Sequence, residues 1–433
     1  MNSGFLISDV VYLLINSFIV GFLYLSFQNP FNRRIWLKLF QQRTAAISLG
    51  IVVFFWLISI LDSIHIYQNT LIDWIFSPLN HYMEYSYSKP FSLNLLLPKV
   101  KFLHGQYVAL YSHLTYVPKV YQTQAQMTAW VSLRVLHVLG GFFILLFIFR
   151  VIFRRRLALI LPYQKNILLM WGSLLFCTTI FILLYVLSRQ FHVFGTGQIG
   201  QDILYQAIKS IRTGMLISLM TTMIMLPFAI AFGLVAGYFG GTIDLLVQFI
   251  YTTISSIPGV LFIGASLLSW QIYMNAHHSN WSIYQIADSR LMMICILLGL
   301  SDWSSLCRYI RAEVLKIREL DYVISAKILG SSNIRILVKH ILPNTMHMII
   351  TTIVLNFSYL VLAESVLTYL GIGVSPLTIS WGNMINAARL ELARDPMIWW
   401  PLIAAFIFMF FLVLSCNLLA DSLRKALNPR EEV

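Results

Sequence analysis

Nine long apolar runs, separated by polar segments, organise this chain of 433 residues. They fall at about 5–27, 45–66, 131–153, 167–187, 211–238, 245–270, 291–310, 346–370 and 399–420. A helix crosses a bilayer with roughly 20 apolar residues, and each run reaches that length. The apolar positions are continuous and do not alternate, which predicts helices and argues against a β-barrel.

A different pattern appears between the seventh and eighth runs. In "AEVLKIRELDYVISAKIL", Ala312–Leu329, the residues Val314, Ile317, Leu320, Ile324 and Ile328 recur every three or four positions. That spacing marks one face of an amphipathic helix. Glu313, Lys316, Arg318, Asp321 and Lys327 interrupt it with charge. Gly330 follows, then Ser331 and Ser332. Glycine just past a helix accepts the left-handed backbone that ends it, and serine caps the next helix. "NIRILVKHIL" reads as that next helix, and Pro343 punctuates it. The expectation is helix–turn–helix with a short tip at Leu329, Gly330 and Ser331. Two uses fit the periodicity equally: a hairpin resting on lipid headgroups, or a docking element that moves the membrane helices on either side.

Composition fixes the class. Hydrophobic residues make up 58% of the chain and charged residues 11%, against about 25% charged in a soluble domain. The fold class is therefore an all-α polytopic membrane protein. The formal charge of +13 sits mostly in segments between runs, such as "FNRRIWLKLFQQR", "RVIFRRR" and "DSLRKALNPR". This is the pattern of cytoplasmic loops, not of a nucleic-acid surface. It predicts an N-terminus outside the cytoplasm, a C-terminus inside, and a 67–129 loop outside. That loop, rich in Tyr, His and Pro, reads as a small folded cap, an interfacial segment, a docking surface or a passive connection. The first run has no basic residue before it and basic residues after it, which argues against a cleavable leader.

Chemistry is sparse. No G-x-x-x-x-G-K-[ST] phosphate loop, G-x-S-x-G elbow or H-E-x-x-H motif occurs, so neither an enzyme nor a resident metal is expected. Cys177, Cys295, Cys307 and Cys416 lack metal-ligand spacing and read as apolar packing residues. Glu364 lies inside the eighth run. An intramembrane carboxylate is a functional candidate by default, and a structural or gating role is favoured over substrate contact. Asp302 reads as a helix-packing partner. Arg134, His137 and Asp9 read as residues near a water interface, and Trp399 and Trp400 as interfacial aromatics.

Several stretches resemble one family. Tyr322–Asn344 is similar to the cytoplasmic signature loop of binding-protein-dependent ABC importer permeases: Ala326, Gly330, Leu342 and Pro343 match its pattern. The family's E-A-A triplet reads Ile324, Ser325 and Ala326 here, without the glutamate. "FGTGQIGQD", "VAGYFGGTID", "LAESVLTYLGIGVSPLTISWGNMI" and "NLLADSLRKALNPR" resemble motifs of the dipeptide/oligopeptide subgroup, over about 194–430. "ILDSIHIY" looks like a segment of a longer branch of these permeases.

The resemblance implies an ABC importer type I transmembrane core of about six helices at 161–433. About three extra helices and the 67–129 loop would form an N-terminal extension at 1–160, dispensable for assembly of the core. The coupling loop would be 308–343, with Ala326, Leu329, Gly330, Ser331, Leu342 and Pro343 meeting an ATPase subunit. Glu364, Trp381 and Gly382 become structural or gating candidates. The implied partners are ABC ATP-binding subunits carrying ATP and Mg, a second homologous permease and an extracytoplasmic substrate-binding protein, in a bacterial inner membrane. The implied cargo is a peptide. Nickel, an opine-like compound or an antimicrobial peptide are alternative cargoes on the same fold, and a non-transporting scaffold or sensor is a further alternative.

Overall fold

The computed structural model describes residues 6–28, 30–66, 69–77, 79, 83–103, 106–118, 120–121, 123–157, 164–277 and 281–427. These residues are overwhelmingly helical, as the apolar runs predict. The helices are α1 (Ile7–Gln28), α2 (Pro30–Gln41), α3 (Arg43–Ser63), α4 (Leu71–Ile75), α5 (Gln124–Leu157), α6 (Gln164–Ser188), α7 (Ile203–Phe239), α8 (Gly241–Ser256), α9 (Gly259–His277) and α10 (Ile283–Ile317). Then follow α11 (Asp321–Ile328), α12 (Asn333–Ile336), a π-helical turn (Leu337–Ile341), α13 (Leu342–Tyr369), α14 (Trp381–Glu391) and α15 (Trp400–Leu427).

Among the described residues, eight helices are long and apolar enough to cross a membrane, or up to nine if one bent pair counts as a span. That pair is α8 and α9, which replace the single sixth run and meet at 78°. Pro258 explains the break. It has no N–H for a helical bond and pushes the residue before it into extended backbone. Ile257 accordingly has φ −82 and ψ 127.

The chain forms two compact units, each drawn from separate segments. One contains residues 40–214 and 379–415. Here α3 packs along α6. The 67–129 segment is a folded cap. It holds the antiparallel pair β3 (Lys99–Leu103) and β4 (Gln106–Leu110), and a small core of Leu93, Leu95, Leu114 and Val117 closed by Met127 and Phe191. Trp400, expected at an interface, is fully buried in this unit and its indole N–H donates to the Thr196 carbonyl at 3.0 Å. Trp399 does stay exposed.

The other unit contains residues 6–39 and 215–378, and 416 onward. Its centre is the packing of α7 on α10, and glycines set the distance. A Cβ on Gly237 would lie 2.6 Å from Val314, one on Gly233 2.8 Å from Ile310, and one on Gly299 2.8 Å from Ile224. Small residues let membrane helices approach this closely. The first turn of α1 packs here too, where the Ser8 N–H donates to Asp288 at 3.1 Å. Asp9 is fully buried, not at a water interface as its place near the end of the first run suggests. Cys295, Cys307 and Cys416 are buried free thiols and Cys177 is partly buried, in keeping with packing roles.

Candidate functional site

The hairpin between α10 and α13 forms as its sequence predicts, and its tip is a complete Schellman motif. Gly330 adopts φ +77. Its N–H donates to the Lys327 carbonyl at 3.1 Å, and the Ser331 N–H to the Ala326 carbonyl at 3.1 Å. These bonds satisfy the carbonyls left over at the end of α11. Ser332 takes the N-cap position of α12, but its side chain makes no capping hydrogen bond among the described residues. The backbone then widens into the π-helical turn, whose closing bond runs from the Leu342 N–H to the Leu337 carbonyl. Pro343 sits one residue later without an N–H to give, and such widened turns recur at functional sites.

The buried face of the hairpin differs from the one the periodicity predicts. Val314 and Ile317 are buried as expected, but Leu320, Ile324 and Ile328 are exposed. The cause is a break at Arg318–Leu320, after which α11 restarts in a new phase. Val323 and Ala326 take over the inner face, with Ile336, Leu337 and Ile341 from the return strand of the hairpin. Leu342 packs against this cluster, while Pro343 is exposed. The outer face therefore carries unpaired apolar side chains: Ile328 is 80% exposed, Leu329 83% and Ile334 76%. Ile324, at the position of the missing glutamate, extends that apolar surface.

Polar bonds hold the base of the hairpin. The Arg318 guanidinium donates to the Gly237 carbonyl at 3.0 Å, at the end of α7. Tyr238 donates to Asn333 at 2.9 Å, and Asn344 to the Tyr322 hydroxyl at 2.8 Å. Above it, Arg311 makes a two-pronged pair with Asp244, whose Nη2 contact is 2.6 Å. The hairpin is thus tied to α7 and α13, with its outer face free among the described residues.

The other candidates lie elsewhere. Glu364 is buried in α13 and accepts from Thr368 Oγ1 at 2.9 Å. The same Thr368 hydroxyl accepts the Val374 N–H at 3.3 Å, so Glu364 organises the turn that follows α13. Trp381 is buried, donates from its indole to the Ala207 carbonyl at 3.0 Å, and lies over Gly214, where a Cβ would come within 3.1 Å of its ring. Gly382 is buried beside it. Ser380 caps α14 through the Asn383 N–H at 3.1 Å. Trp381 is a post fixed against α7.

Two buried charge clusters escaped the sequence reading. In the first, Lys209 of α7 lies 2.7 Å from Asp73 and 3.7 Å from Asp62. Tyr205 donates to Asp73 at 2.6 Å, and Thr70 to Asp62 at 2.7 Å. Thr70 and Asp73 also form a capping box on α4. Burial opposes ionisation of Asp73, but the Lys209 charge and the bonds from Lys209 and Tyr205 outweigh it and hold the carboxyl below its usual range. In the second, buried His192 lies 2.6 Å from Asp202 and 3.9 Å from Glu84. Burial would lower the His192 pKa, but hydrogen bonding and the charges of these two carboxylates raise it to about 9. Burial also pushes Glu84 up, but its contact with His192 and the bond it accepts from the Tyr116 N–H at 2.8 Å bring it below its usual range.

These clusters explain the "FGTGQIGQD" motif. Asp202 caps α7 through the Tyr205 N–H at 2.9 Å while holding His192. Thr196 accepts the Ser88 N–H at 2.7 Å and donates to the Ser86 carbonyl at 2.8 Å. Gly200, at φ +78, gives its carbonyl to the Glu84 N–H at 3.1 Å where any side chain would strike the Glu84 backbone. The signal in the sequence was a pair of aspartates, Asp62 and Asp202, at the edges of apolar runs. Their partners, at Thr70, Asp73, Glu84, His192 and Lys209, are spread over 140 residues and only folding gathers them. No cluster of three metal-ligand residues occurs among the described residues.

Comparison with known proteins gives this geometry a context. The family model described as "Binding-protein-dependent transport system inner membrane component" matches residues 229–433, which include the whole hairpin. The chain is 29% identical over 239 residues to a dipeptide transport system permease protein of Lactococcus lactis, covering 55% of this chain and 64% of that one. It is 29% identical over 238 residues to an oligopeptide transport system permease protein of Mycobacterium bovis, covering 55% and 76%. An oligopeptide transport system permease protein of Haemophilus influenzae is 26% identical over 241 residues, with 56% and 71% covered. Each alignment leaves close to half of this chain unmatched, as an N-terminal extension requires. The fold class read from the sequence, an all-α multi-pass inner-membrane protein around an ABC importer type I transmembrane core, agrees with these matches. Through residues 229–433, which carry the hairpin, the chain is similar to the inner-membrane components of binding-protein-dependent transport systems.

Proposed function

We propose that this chain is a permease subunit of an ABC importer and lines the path by which peptides of the dipeptide/oligopeptide class enter across the inner membrane. The observation that carries the reading is the exposed apolar face of the hairpin on a rigidly capped tip. A cluster of exposed leucine and isoleucine on a structured surface marks a contact with protein or membrane, and the first is the one this reading takes. In this reading the face seats in a groove of an ABC ATP-binding subunit, which holds ATP and Mg. Ala326 and Leu342 keep the hairpin packed, and Leu329, Gly330 and Ser331 form the seated tip. A second homologous permease completes the path, and a substrate-binding protein delivers cargo from outside.

ATP-driven closure of the ATPase pair then moves the hairpin, and the ties at Arg318, Tyr238 and Arg311 pass that motion to α7, α8 and α10 as a rigid-body shift. Glu364 and the Trp381–Gly382 turn serve as structural or gating elements of that shift. The N-terminus lies in the periplasm and the C-terminus in the cytoplasm, and residues 1–160 are an extension of a 161–433 core. Affinity purification of the tagged chain in mild detergent tests this: an ATP-binding subunit and a second permease should come with it. Recovery of the chain alone, where a control importer stays whole, would sink the reading.

A further inference from the structure

Beside the bend that Pro258 makes, α9, the start of α10 and the turn after α13 enclose a cavity of about 260 Å³. Its chemistry is lopsided. The Arg290 guanidinium donates from Nε to the Gly373 carbonyl at 3.0 Å and from Nη1 to Gln271 Oε1 at 3.2 Å. Both partners are neutral, and a guanidinium has five N–H donors. Among the described residues no carboxylate pairs with Arg290, whereas Arg311, Arg318 and Arg394 each meet one. Beside it the Trp270 indole N–H is shielded from solvent with no acceptor among the described residues. Asn275 adds an amide to the lining, and Met274, Ile286 and Leu377 supply apolar wall.

A half-buried cation with only neutral partners costs free energy, as does a buried N–H without an acceptor. One ligand group answers both: an anionic oxygen pair, which matches a guanidinium fork and leaves an oxygen for the indole. The apolar wall asks for a hydrocarbon stem behind it. Small-ligand pockets run to about 300–1,000 Å³, so this cavity takes one end of a peptide and not a whole one.

We propose that this cavity is a carboxylate subsite, receiving the C-terminal carboxylate of the transported peptide on Arg290 with Trp270 as second donor. The assignment of the carboxylate to a peptide rests on the importer reading above.

The test is binding to the full-length chain in detergent, without ATPase or transport. The probe is N-acetyl-alanyl-alanine, and its C-terminal amide is the uncharged control. Titration of the thermal midpoint should show stabilisation by the acid and not by the amide. Arg290→Gln should weaken the acid about tenfold or more, the worth of a charge-assisted bond, and Arg290→Lys should recover part of it. Trp270→Phe, which keeps an aromatic ring and removes the N–H, should weaken the acid by a smaller factor and serves if Arg290→Gln fails to fold. Equal binding of acid and amide, or an acid preference that survives both substitutions, overturns the subsite. Displacement of the acid by phosphatidylglycerol in an Arg290-dependent way overturns its assignment to peptide and makes it a headgroup site. Acid binding here, combined with recovery of the chain alone in the affinity purification above, supports the subsite while sinking the importer reading, so the two can fail separately.

Discussion

The two charge clusters and the hairpin tip invert the usual placement of side chains in opposite senses. Around Lys209 and His192, charge is buried and paired. At Ile328 and Leu329, hydrocarbon is exposed and unpaired. The first arrangement is closed within its own compact unit, where one cation is shared by two carboxylates in each cluster. The second is incomplete, because nothing among the described residues covers the apolar surface. Buried pairs add little net stability, yet removing one partner is costly since it strands the other. Exposed hydrocarbon costs little to remove and matters only when something docks. The contrast separates what holds this chain together from what connects it.

The largest effect should come from the Lys209 cluster. Lys209→Met leaves Asp73 and Asp62 buried without their nearest cation, and breaking such a pair costs about 3–5 kcal/mol. Thermal unfolding in detergent should show the loss, and Asp73→Asn in the same chain should restore part of it. An additive double variant would refute the pairing. The same geometry bears on the extension. Asp62, Asp73 and Glu84 all precede residue 155, so a chain truncated there exposes Lys209 and His192 with no carboxylates of the extension to meet them. The sequence alone suggests that such a core assembles unaided. The clusters predict poor recovery of that truncation, and better recovery when Lys209→Met is added to it.

The His192 clamp should give a smaller, pH-dependent effect. Its folded pKa of about 9 lies above the ordinary histidine value near 6.5. The stabilisation is therefore complete below about pH 6.5 and lost as pH rises through about 9. A shift of this size is worth about 3 kcal/mol. The unfolding midpoint should fall between pH 7 and 9.5, and His192→Gln should flatten that slope. An unchanged slope would remove His192 from the account.

How much of this was legible beforehand follows from the range of the interactions. The helices and the hairpin tip rest on contacts a few residues apart, so the apolar runs and the Gly330-Ser331-Ser332 turn announced them. Pro258 also stood in the sequence, yet a continuous apolar run hid the bend it makes. The buried face of the hairpin was misread for a local reason: periodicity assumes one unbroken helix, and the break at Arg318–Leu320 reset the phase. The charge clusters were beyond reach, since Glu84 and Asp202, or Asp73 and Lys209, have no local signal that joins them. Nothing in the sequence singles out Arg290, and only the fold shows its partners to be neutral.

Gly330→Pro sits between the two regions in size. Proline fixes φ near −65° where the tip needs +77°, and it deletes the N–H bonded to Lys327. A local loss of about 1–3 kcal/mol is expected at a tip that contributes little to the core. Membrane insertion and the unfolding midpoint should be nearly kept, while uptake and ATPase recovery fall. Normal uptake would show that the tip geometry is not used.

The smallest effect on the fold should be the most telling about the partner. Leu329 is 83% exposed, so Leu329→Ser should move stability within about 0.5 kcal/mol. If the tip seats in a groove of an ATP-binding subunit, the same change removes a buried leucine from that interface, where full burial is worth about 1.5–3 kcal/mol. Co-purification of the ATPase should then drop about tenfold with the midpoint unmoved. Ser331→Ala, on the same tip but without an apolar side chain to seat, should leave it nearly intact. Should Leu329→Ser retain full ATPase recovery, the exposed apolar face is not a protein contact. The other use its sequence allowed, a hairpin lying on lipid headgroups, would then account for it, and partition of the isolated 318–343 peptide onto anionic vesicles would show the same dependence on Leu329.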